Sequence, residues 1–552
     1  MWKRVGELFD SRSGKGNAFW RWFPWVWLIL GYCVTMGILW KFGRLCIDSD
    51  MAGEMVLADL LNREGGLLSA NWWYSTEIRV FCMQILYRLG LMIFPGDWFA
   101  AQMIGEMVGT ALLVVSYIYA AWGLGLKNQG AWGAAALVCP FGICYLWYNL
   151  LGGFYLPHMI FALLGLGAVL RLTDARPLGW KLFHGLVLAG AAGASGLNGI
   201  KGLMGLFLPL VLTGATVLAL SWHEKPETFP RKESCLLGYA AAGAAVAGAG
   251  YLFTTRVLAN THHAADFADQ KWSSLDINLF LKKLADFFSL FGYPIDSSTG
   301  GNVSLFSVTG ILGAVGLVTG GAVLFSLVRL LWHWRELTSR QRVAPILLAW
   351  ALLVQGGIFA WTGTASQTSP YQWLTIVPLA FPVLQLEGET EHFRVPFARR
   401  LAAAAFCICF LLVSVGTGLR YFTSGYQIRP RLEPVSQWLV EEGYTQGYAT
   451  FWNGGVMTEW TNGALEMWVV DDFKELNIRQ WLQSTSHAQP PEGEVFLLST
   501  LGELEQMGLD SILNGPSVAF IEEGAWDPYV VLDYQSVEEM QAEIQQVLQS
   551  AS

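Results

Sequence analysis

Charged residues are scarce in this sequence. Only 14% of the 552 residues are Asp, Glu, Lys or Arg, against about 25% in ordinary soluble domains. Hydrophobic residues make up 53% of the chain, including 26 tryptophans. This composition excludes an intrinsically disordered chain. The repeated apolar runs of roughly 18–25 residues instead indicate a polytopic membrane protein.

Cysteine is also sparse. The chain has 8 cysteines, none of them after residue 424, and no Cys-x-x-Cys pair of the kind that holds a structural metal. A small domain held together by disulfides is therefore excluded. Cys46 and Cys82 are the pair that could form a disulfide if both lie outside the cytoplasm.

The net charge of -9 is unevenly distributed. Residues 425–552 contain 20 acidic and 4 basic residues, whereas the remainder of the chain is mildly basic. The change in charge and polarity predicts a transmembrane domain over residues 1–424 and a soluble domain over residues 425–552.

The apolar runs predict about eleven transmembrane helices. They lie near 22–42, 99–123, 130–149, 156–172, 182–197, 202–221, 236–258, 304–331, 343–361, 370–386 and 400–422. A twelfth apolar segment, residues 78–95, contains Arg79, Gln84 and Arg88 and is amphipathic, so we expect it to lie along the membrane surface.

The distribution of basic residues supports this topology. With a cytoplasmic N-terminus and a surface-lying 78–95, the inner loops 171–181, 222–235, 329–342 and 387–400 carry 13 basic residues. The outer loops 150–155, 198–201 and 362–369 carry only Lys201. By the positive-inside rule, we expect a plasma-membrane protein in which residues 43–98 and 259–303 form outer loops and the acidic domain is extracytoplasmic.

The acidic domain has an alternating pattern. Helical periodicity at 433–442 and 536–549 flanks strand-like runs at 465–470, 494–498, 517–521 and 529–532. This pattern predicts a small α/β domain. The Asn- and Gly-rich segment 450–463 reads either as a packed turn or as part of an acceptor site or lid.

Three acidic residues follow the first predicted span. Asp48, Asp50 and Glu54 lie where the chain leaves the membrane, and in a helix Asp50 and Glu54 would share a face. A partly desolvated carboxylate has a raised pKa and can act as a general base. The competing interpretation is that these acids only cap the helix. Asp50 is the preferred base, with Asp48 and Glu54 as alternatives.

This layout resembles the GT-C superfamily of membrane glycosyltransferases, which includes protein O-mannosyltransferases and aminoarabinose transferases. The shared features are the acids after the first span, the long loop from Asp48 to Arg79, many later spans and an outer C-terminal domain. Where many relatives have an Asp-Glu pair, Asp50 is followed here by Met51.

The resemblance implies a polyprenyl-phosphate donor and directs attention to further residues. Lys201, in a glycine-rich bend, and Arg79, with Glu77 nearby, are candidates for the donor phosphate. The loop before the fourth span contains Tyr155 and His158 but no carboxylate, so the sequence leaves open whether the protein requires a divalent metal. Gln367 and Tyr371 are candidates for sugar hydroxyls. For Lys201 and His158, the alternatives are a lysine extending to the membrane surface and a structural histidine.

The sequence therefore predicts an inverting glycosyltransferase with a carboxylate general base. It would move a sugar from a polyprenyl phosphate to a glycan, lipid or protein acceptor of the cell envelope, without nucleic-acid partners. A transporter or flippase of lipid-linked glycans and a non-catalytic scaffold with the same fold are the alternatives.

Overall fold

The computed structural model describes most of the chain: residues 14–126, 130–174, 177–264, 306–361, 370–389 and 431–551, with 277, 278, 281, 287, 288, 290, 291, 304 and 416. Its α-helices of eight residues or more, and one of seven, are numbered in chain order. They are α1 (Gly14–Phe42), α2 (Ser49–Glu64), α3 (Met83–Ile93), α4 (Trp98–Gly123), α5 (Gly130–Leu137), α6 (Leu156–Leu172), α7 (Leu178–Leu197), α8 (Leu208–Glu224), α9 (Arg231–Arg256), α10 (Val308–Trp332), α11 (Ser339–Trp361), α12 (Val377–Glu389), α13 (Leu432–Glu441), α14 (Phe451–Trp460), α15 (Leu501–Met507) and α16 (Val537–Ala551).

The β-strands belong to two sheets. In chain order they are β1 (Trp72–Tyr74), β2 (His263–Ala264), β3 (Gln446–Thr450), β4 (Glu466–Val470), β5 (Gln483–Ser484), β6 (Val495–Thr500), β7 (Val518–Ile521) and β8 (Tyr529–Tyr534).

The chain divides into two compact units. The helical unit comprises Met1–Leu39, Met107–Arg256 and Ala268–Thr423. The mixed unit comprises Trp40–Glu106, Val257–Phe267 and Ser424–Ser552. The first predicted outer loop and the acidic C-terminal segment are therefore parts of the same compact body. A boundary at residue 424 with a separate soluble domain stays a prediction.

Six of the described helices are long and apolar enough to cross a membrane. They are Trp22–Phe42, Trp98–Gly123, Leu203–Glu224, Arg231–Asn260, Gly313–Trp332 and Ser339–Trp361. The prediction of a polytopic helical membrane protein is confirmed, and these six helices match predicted spans. The predicted span 400–422 falls outside the described residues apart from residue 416, so the count of eleven stays a prediction.

One predicted span is broken in the structure. The apolar run 130–149 forms α5 and, after a non-helical stretch at 138–142, a short helix Ile143–Tyr145 that continues into a π-helical turn at Leu146–Leu151. Pro140 has no N–H for a helix hydrogen bond and disfavours helical backbone before it. The Tyr145 hydroxyl donates to the Leu137 carbonyl at 2.6 Å, which satisfies one free carbonyl at the end of α5.

Helix α3 does not have the length of a span. Its 11 residues cover about 16 Å, against a bilayer core of about 30 Å. The expectation that residues 78–95 do not cross the membrane agrees with this length. The helix begins only at Met83, so Arg79 precedes it, and the prediction of Arg79 on the helix is wrong.

The mixed unit contains a five-stranded sheet of order β4-β3-β6-β8-β7. The β4–β3 and β3–β6 pairs are parallel, whereas β6–β8 and β8–β7 are antiparallel. A buried apolar cluster that includes Leu497, Leu532 and Ile544 joins the sheet to α16. The predicted C-terminal α/β fold is therefore confirmed, with β3 and α15 as additional elements.

A second, three-stranded sheet connects distant parts of the sequence within the mixed unit. Strand β1 pairs in parallel with β2 and antiparallel with β5. The Leu482 N–H donates to the Trp73 carbonyl at 2.8 Å and the Thr485 N–H to the Asn71 carbonyl at 3.0 Å. Main-chain hydrogen bonds thus join the segment after α2 to the segment after β4.

The Asn- and Gly-rich segment is a helix, not the expected turn. Helix α14 spans Phe451–Trp460 and is followed by a turn in which Asn462 and Gly463 have positive φ. A Cβ added at Gly455 would lie 2.8 Å from the Cβ of Ser49. Two successive glycines lower helix propensity, but here they allow close packing of α14 against the start of α2.

The two cysteines suggested as a disulfide are not paired. Cys46 and Cys82 are both buried free thiols. They pack as small apolar side chains, which is how buried cysteines commonly behave.

Candidate functional site

The first turn of α2 presents the three predicted acids in different roles. Asp48 is the N-cap, and its Oδ1 accepts a hydrogen bond from the Met51 N–H at 2.8 Å. This is the capping role that sequence reasoning offered as the alternative for Asp48. Asp50 and Glu54 are one helical turn apart on α2, as predicted from their spacing.

Asp50 lies in a dense but not closed environment. The residue as a whole is partly exposed, although protein atoms surround its carboxyl group on most sides. The Trp481 indole Nε1 lies 3.4 Å from Asp50 Oδ1. A carboxyl group in this position is reachable by a ligand and is also partly shielded from water.

Glu54 is paired with a cation. Its Oε1 lies 3.6 Å from an Arg79 guanidinium nitrogen, and both side chains are largely buried. Arg79 also donates to the Ser75 hydroxyl at 2.8 Å, while its carbonyl accepts from Gln84 at 2.9 Å. Arg79 is thereby fixed in orientation on both its side chain and its backbone.

The pKa values of both carboxyls are raised. Burial is the main cause of the raised pKa of Asp50, and the Trp481 hydrogen bond and the charges of Arg79 and Arg479 act in the opposite direction. Burial also raises the pKa of Glu54, opposed by Arg79 and assisted by Asp50. Two neighbouring carboxyls that each disfavour the other's charge titrate as a pair.

Arg479 and Trp481 were missed by sequence reasoning. They lie between β4 and β5, more than 400 positions after Asp50. Arg479 forms an ion pair with Asp471 at 3.0 Å, and its guanidinium carbon lies 4.9 Å from the centre of the Phe451 ring. One signal was present: only 4 basic residues occur in the acidic segment, so each was informative.

The segment carrying these two residues is held against α2 by a glycine. A Cβ at Gly53 would lie 2.9 Å from the Leu482 Cβ. Leu482 itself has φ +49, a conformation that costs an L-residue roughly 1–2 kcal/mol. Such strain persists only where surrounding contacts over-determine the backbone, and here it places Trp481 beside Asp50.

A second group of predicted site residues belongs to the helical unit. The Lys201 ammonium lies 5.3 Å from the centre of the Tyr155 ring. The rings of Tyr155 and His158 are 6.3 Å apart. Tyr155 precedes α6, His158 lies in its first turn, and His158 is 2% exposed. The structure therefore brings three of the predicted substrate-binding residues together.

The remaining predicted residues are less well defined. Glu77 is half-buried in the segment between β1 and α3. Tyr371 lies in a 3-10 helix spanning Pro370–Ile376, and Gln367 lies outside the described residues. Among the residues that the structure describes, His, Cys, Asp and Glu form no group of three or more that could hold a metal ion.

Comparison with solved structures identifies the fold. The crystal structure of ArnT from Cupriavidus metallidurans bound to undecaprenyl phosphate matches with a TM-score of 0.53 and 12% identity, over 92% of this chain and 98% of that chain. The same protein in the apo state matches with a TM-score of 0.53 and 10% identity, over 92% and 97%. The chain has the GT-C fold.

More distant similarity extends to an oligosaccharyltransferase. The Archaeoglobus fulgidus enzyme complexed with zinc and sulfate matches with a TM-score of 0.47 and 11% identity, over 94% of this chain and 76% of that chain. No protein-family model matches the sequence, and no curated protein matches it. At 12% and 10% identity, the fold shared with ArnT does not transfer the role of any single residue to this chain.

Proposed function

We propose that this GT-C chain is a glycosyltransferase that uses Asp50 as its general base. It transfers a sugar from a polyprenyl-phosphate donor to an acceptor hydroxyl on the outer face of the plasma membrane. The observation that carries the proposal is the placement of Asp50: partly exposed, with a raised pKa, and flanked by Trp481 and by arginines. The fold shared with ArnT, which was crystallised with undecaprenyl phosphate, supports the donor class.

The proposed reaction is a single displacement. The acceptor oxygen attacks the anomeric carbon while Asp50 takes the hydroxyl proton, and the bond from the anomeric carbon to the phosphate oxygen breaks. The polyprenyl phosphate leaves with the bonding electron pair, and the configuration at the anomeric carbon inverts. A base with a raised pKa suits this role because its proton affinity lies closer to that of the reacting group near neutral pH.

Glu54 and Arg79 support Asp50 in this scheme. The charge of Arg79 opposes the burial that raises the pKa of both carboxyls, so it favours the ionised form of Asp50. Without this cation, desolvation would hold the carboxyl in its protonated form, which cannot accept a proton. Arg79 is accordingly a positioning and tuning residue, and it is also a candidate partner for the donor phosphate.

Lys201, which belongs to the helical unit, is a separate candidate for binding a phosphate group. Its ammonium is held over the Tyr155 ring, an arrangement that favours a cation through the ring's electron-rich face. A cation held in this way can pair with a phosphate group of a lipid donor. His158, next to Tyr155, would steady this group of side chains by packing.

Location and partners form part of the proposal. We place the N-terminus in the cytoplasm and the mixed unit outside, because the inner loops of this topology carry nearly all the basic loop residues. The acceptor is a glycan, lipid or protein of the cell envelope. No step of the proposed reaction runs through a metal ion, and a divalent ion stays an open requirement.

The test is an Asp50→Asn variant of the full chain in membrane vesicles. Radiolabelled undecaprenyl-phosphate sugars serve as donors, and label in envelope glycans, lipids and proteins is measured. We expect transfer to fall by roughly 100- to 10,000-fold. Glu505→Gln is the control, because Glu505 is an exposed carboxylate on α15, away from Asp50 in the sequence, and it should transfer normally.

Three outcomes contradict the proposal. Normal transfer by Asp50→Asn at wild-type protein level would remove Asp50 as the base. Movement of the labelled lipid across the vesicle membrane without any glycosylated product would favour a flippase. A correctly folded wild-type protein that supports neither would favour a scaffold.

A further inference from the structure

A large groove lies within the mixed unit. Its volume is about 780 Å³, inside the range of roughly 300–1,000 Å³ that is usual for small-ligand sites. It is lined by α2, β1, the C-terminal end of α14 and the segment from Leu482 to His487. None of the mechanistic roles above uses it.

The groove is distinct from the Asp50 site although both adjoin α2. Gly53, Val56 and Leu60 line the groove, and their spacing of three and four residues places them on one face of the helix. Asp50 and Glu54 are not among the lining residues. The proposed base is therefore not part of the groove lining.

The charges of the lining disfavour an anion. Asp59 is paired with Arg63 at 2.9 Å, and Glu466 with His487 at 3.0 Å. Glu64 accepts a hydrogen bond from Asn71 at 2.8 Å. The lining therefore contains more acidic groups than cations, and its one arginine is already matched. A phosphate or carboxylate ligand would meet net repulsion.

Neutral polar groups complete the lining. Thr458, Asn462, Ser484 and Ser486 contribute hydroxyl and amide groups. The Ser484 and Ser486 hydroxyls are hydrogen-bonded to each other at 2.7 Å, which fixes their positions. These groups both donate and accept, so they match a ligand that carries many hydroxyls.

A buried tryptophan also borders the groove. Trp72 borders the groove and is 1% exposed, and its Nε1 has no hydrogen-bond partner among the residues that the structure describes. A buried donor without an acceptor costs roughly 1–3 kcal/mol. This nitrogen has almost no accessible surface, so the polar contacts with a ligand fall to the hydroxyl and amide groups.

An aromatic side chain also contributes apolar surface to the groove. Trp98 lines the groove, and a Cβ at Gly463 would lie 3.0 Å from its ring. The glycine, at φ +79, thereby keeps the space beside the ring edge free of side-chain atoms. Aromatic surface combined with a few fixed polar groups is the usual composition of a small-ligand site.

We propose that this groove binds a neutral saccharide, as a subsite for a part of the acceptor remote from the reacting hydroxyl. The assignment to the acceptor rests on the proposed glycosyltransferase function, whereas saccharide binding does not. Contacts with a non-reacting part of a substrate supply binding energy for orienting the reacting group. The groove would thus select which glycan is extended.

The test uses the fluorescently labelled full chain in lipid nanodiscs. The probe is an array of immobilised neutral di- and trisaccharides of glucose, galactose, mannose and N-acetylglucosamine, with uronic-acid glycans beside them. We expect the wild type to be retained on at least one neutral saccharide and on none of the acidic ones. Val56→Trp and, separately, Thr458→Trp fill the groove and should each reduce retention at least about tenfold.

Asn62→Trp is the matched control, because Asn62 is exposed on the same helix and does not line the groove. It should bind as the wild type does. The proposal is overturned if the wild type is retained on no neutral saccharide. It is also overturned if both groove-filling variants melt at the wild-type temperature and are retained as strongly as the wild type. Asp50→Asn separates the two proposals: it should lose transfer but keep saccharide binding.

Discussion

The Trp481 indole Nε1 lies 3.4 Å from the Asp50 carboxyl oxygen although 431 positions separate the two residues in the chain. The contact joins a segment of the acidic C-terminal region to the first turn after the first predicted span. It lies within one compact unit, together with Glu54 and Arg79. The surroundings of the proposed base therefore come from both the N-terminal and the C-terminal part of the chain.

Trp481→Phe should shift the pH dependence of transfer. The indole hydrogen bond lowers the pKa of Asp50, so its loss raises that pKa and moves the acidic limb of kcat/KM to higher pH. We expect a displacement of about one pH unit, because one pKa unit corresponds to about 1.4 kcal/mol and the hydrogen bond is long.

The matched control is Trp452→Phe, an exposed tryptophan on α14, which should leave the profile unchanged. If Trp481→Phe is expressed normally and the acidic limb of its kcat/KM profile does not shift, one of two premises is wrong. Either the pKa of Asp50 does not determine that limb, or the indole does not lower the pKa of Asp50. The Asp50→Asn measurement distinguishes these readings.

The sequence predicted those features that depend on local pattern and on the scarcity of charge. Apolar run length predicted the spans that the structure describes, and the amphipathic 78–95 segment predicted a helix that does not cross. The spacing of Asp50 and Glu54 predicted a shared helical face, and strand alternation predicted four strands of the large sheet. Each of these depends on residues within one helix or one strand.

Features that depend on contacts between distant segments were missed. Strand β3 contains Gly447 and only one β-branched residue, Thr450, so its pattern is weak. Helix α14 contains Gly454 and Gly455, which argue against a helix. Both elements are stabilised by tertiary packing that no local pattern records. For the same reason, the proximity of Arg479 and Trp481 to Asp50 could not be predicted from the sequence.

Arg79→Gln should destabilise the fold and suppress activity together. It leaves Glu54, with its side chain 7% exposed, buried without its cation, and breaking one partner of a buried ion pair costs roughly 3–5 kcal/mol. The pKa of both carboxyls would rise further. Thermal unfolding in detergent measures the stability, and kcat measures the loss of the ionised base.

A second substitution makes the Arg79 prediction specific. Glu54→Gln in the Arg79→Gln background removes the unpaired acid, so stability should recover in part, giving a coupling free energy of about 1–3 kcal/mol. Arg63→Gln, on an exposed surface pair, should cost less than about 1 kcal/mol. Strictly additive effects of the two buried substitutions would show that Glu54 and Arg79 do not interact.

Gly455→Ala should disturb the start of α2. The added methyl would lie 2.8 Å from the Ser49 Cβ, and overpacking of this kind costs roughly 1–3 kcal/mol. A shift of the first turn would also move Asp50, so we expect kcat to fall about tenfold or more. Gly96→Ala is the matched control, because a Cβ there has nothing within 4 Å; equal behaviour of the two variants would refute the close packing.

Glu459 predicts a pH-dependent stability in the mixed unit. It lies on α14, is 1% exposed, and neither carboxyl oxygen has a hydrogen-bond partner among the described residues. Burial raises its pKa to about 8, with Arg44 opposing the shift and Asp48 adding to it. The folded protein thus keeps a proton at Glu459 that the unfolded chain releases near the ordinary value of 4.5.

The sign of the effect follows from proton linkage. Because the native state binds more protons between pH 4.5 and about 8, its stability falls as pH rises through this window. Glu459→Gln removes the titrating group and should flatten the fall, with a gain that approaches about 5 kcal/mol at about pH 9 as an upper limit. Below pH 4.5 the variant and the wild type should unfold at similar temperatures. Glu505→Gln, on the exposed face of α15, should leave the pH dependence intact, and a wild-type slope in Glu459→Gln would place the titrating group elsewhere.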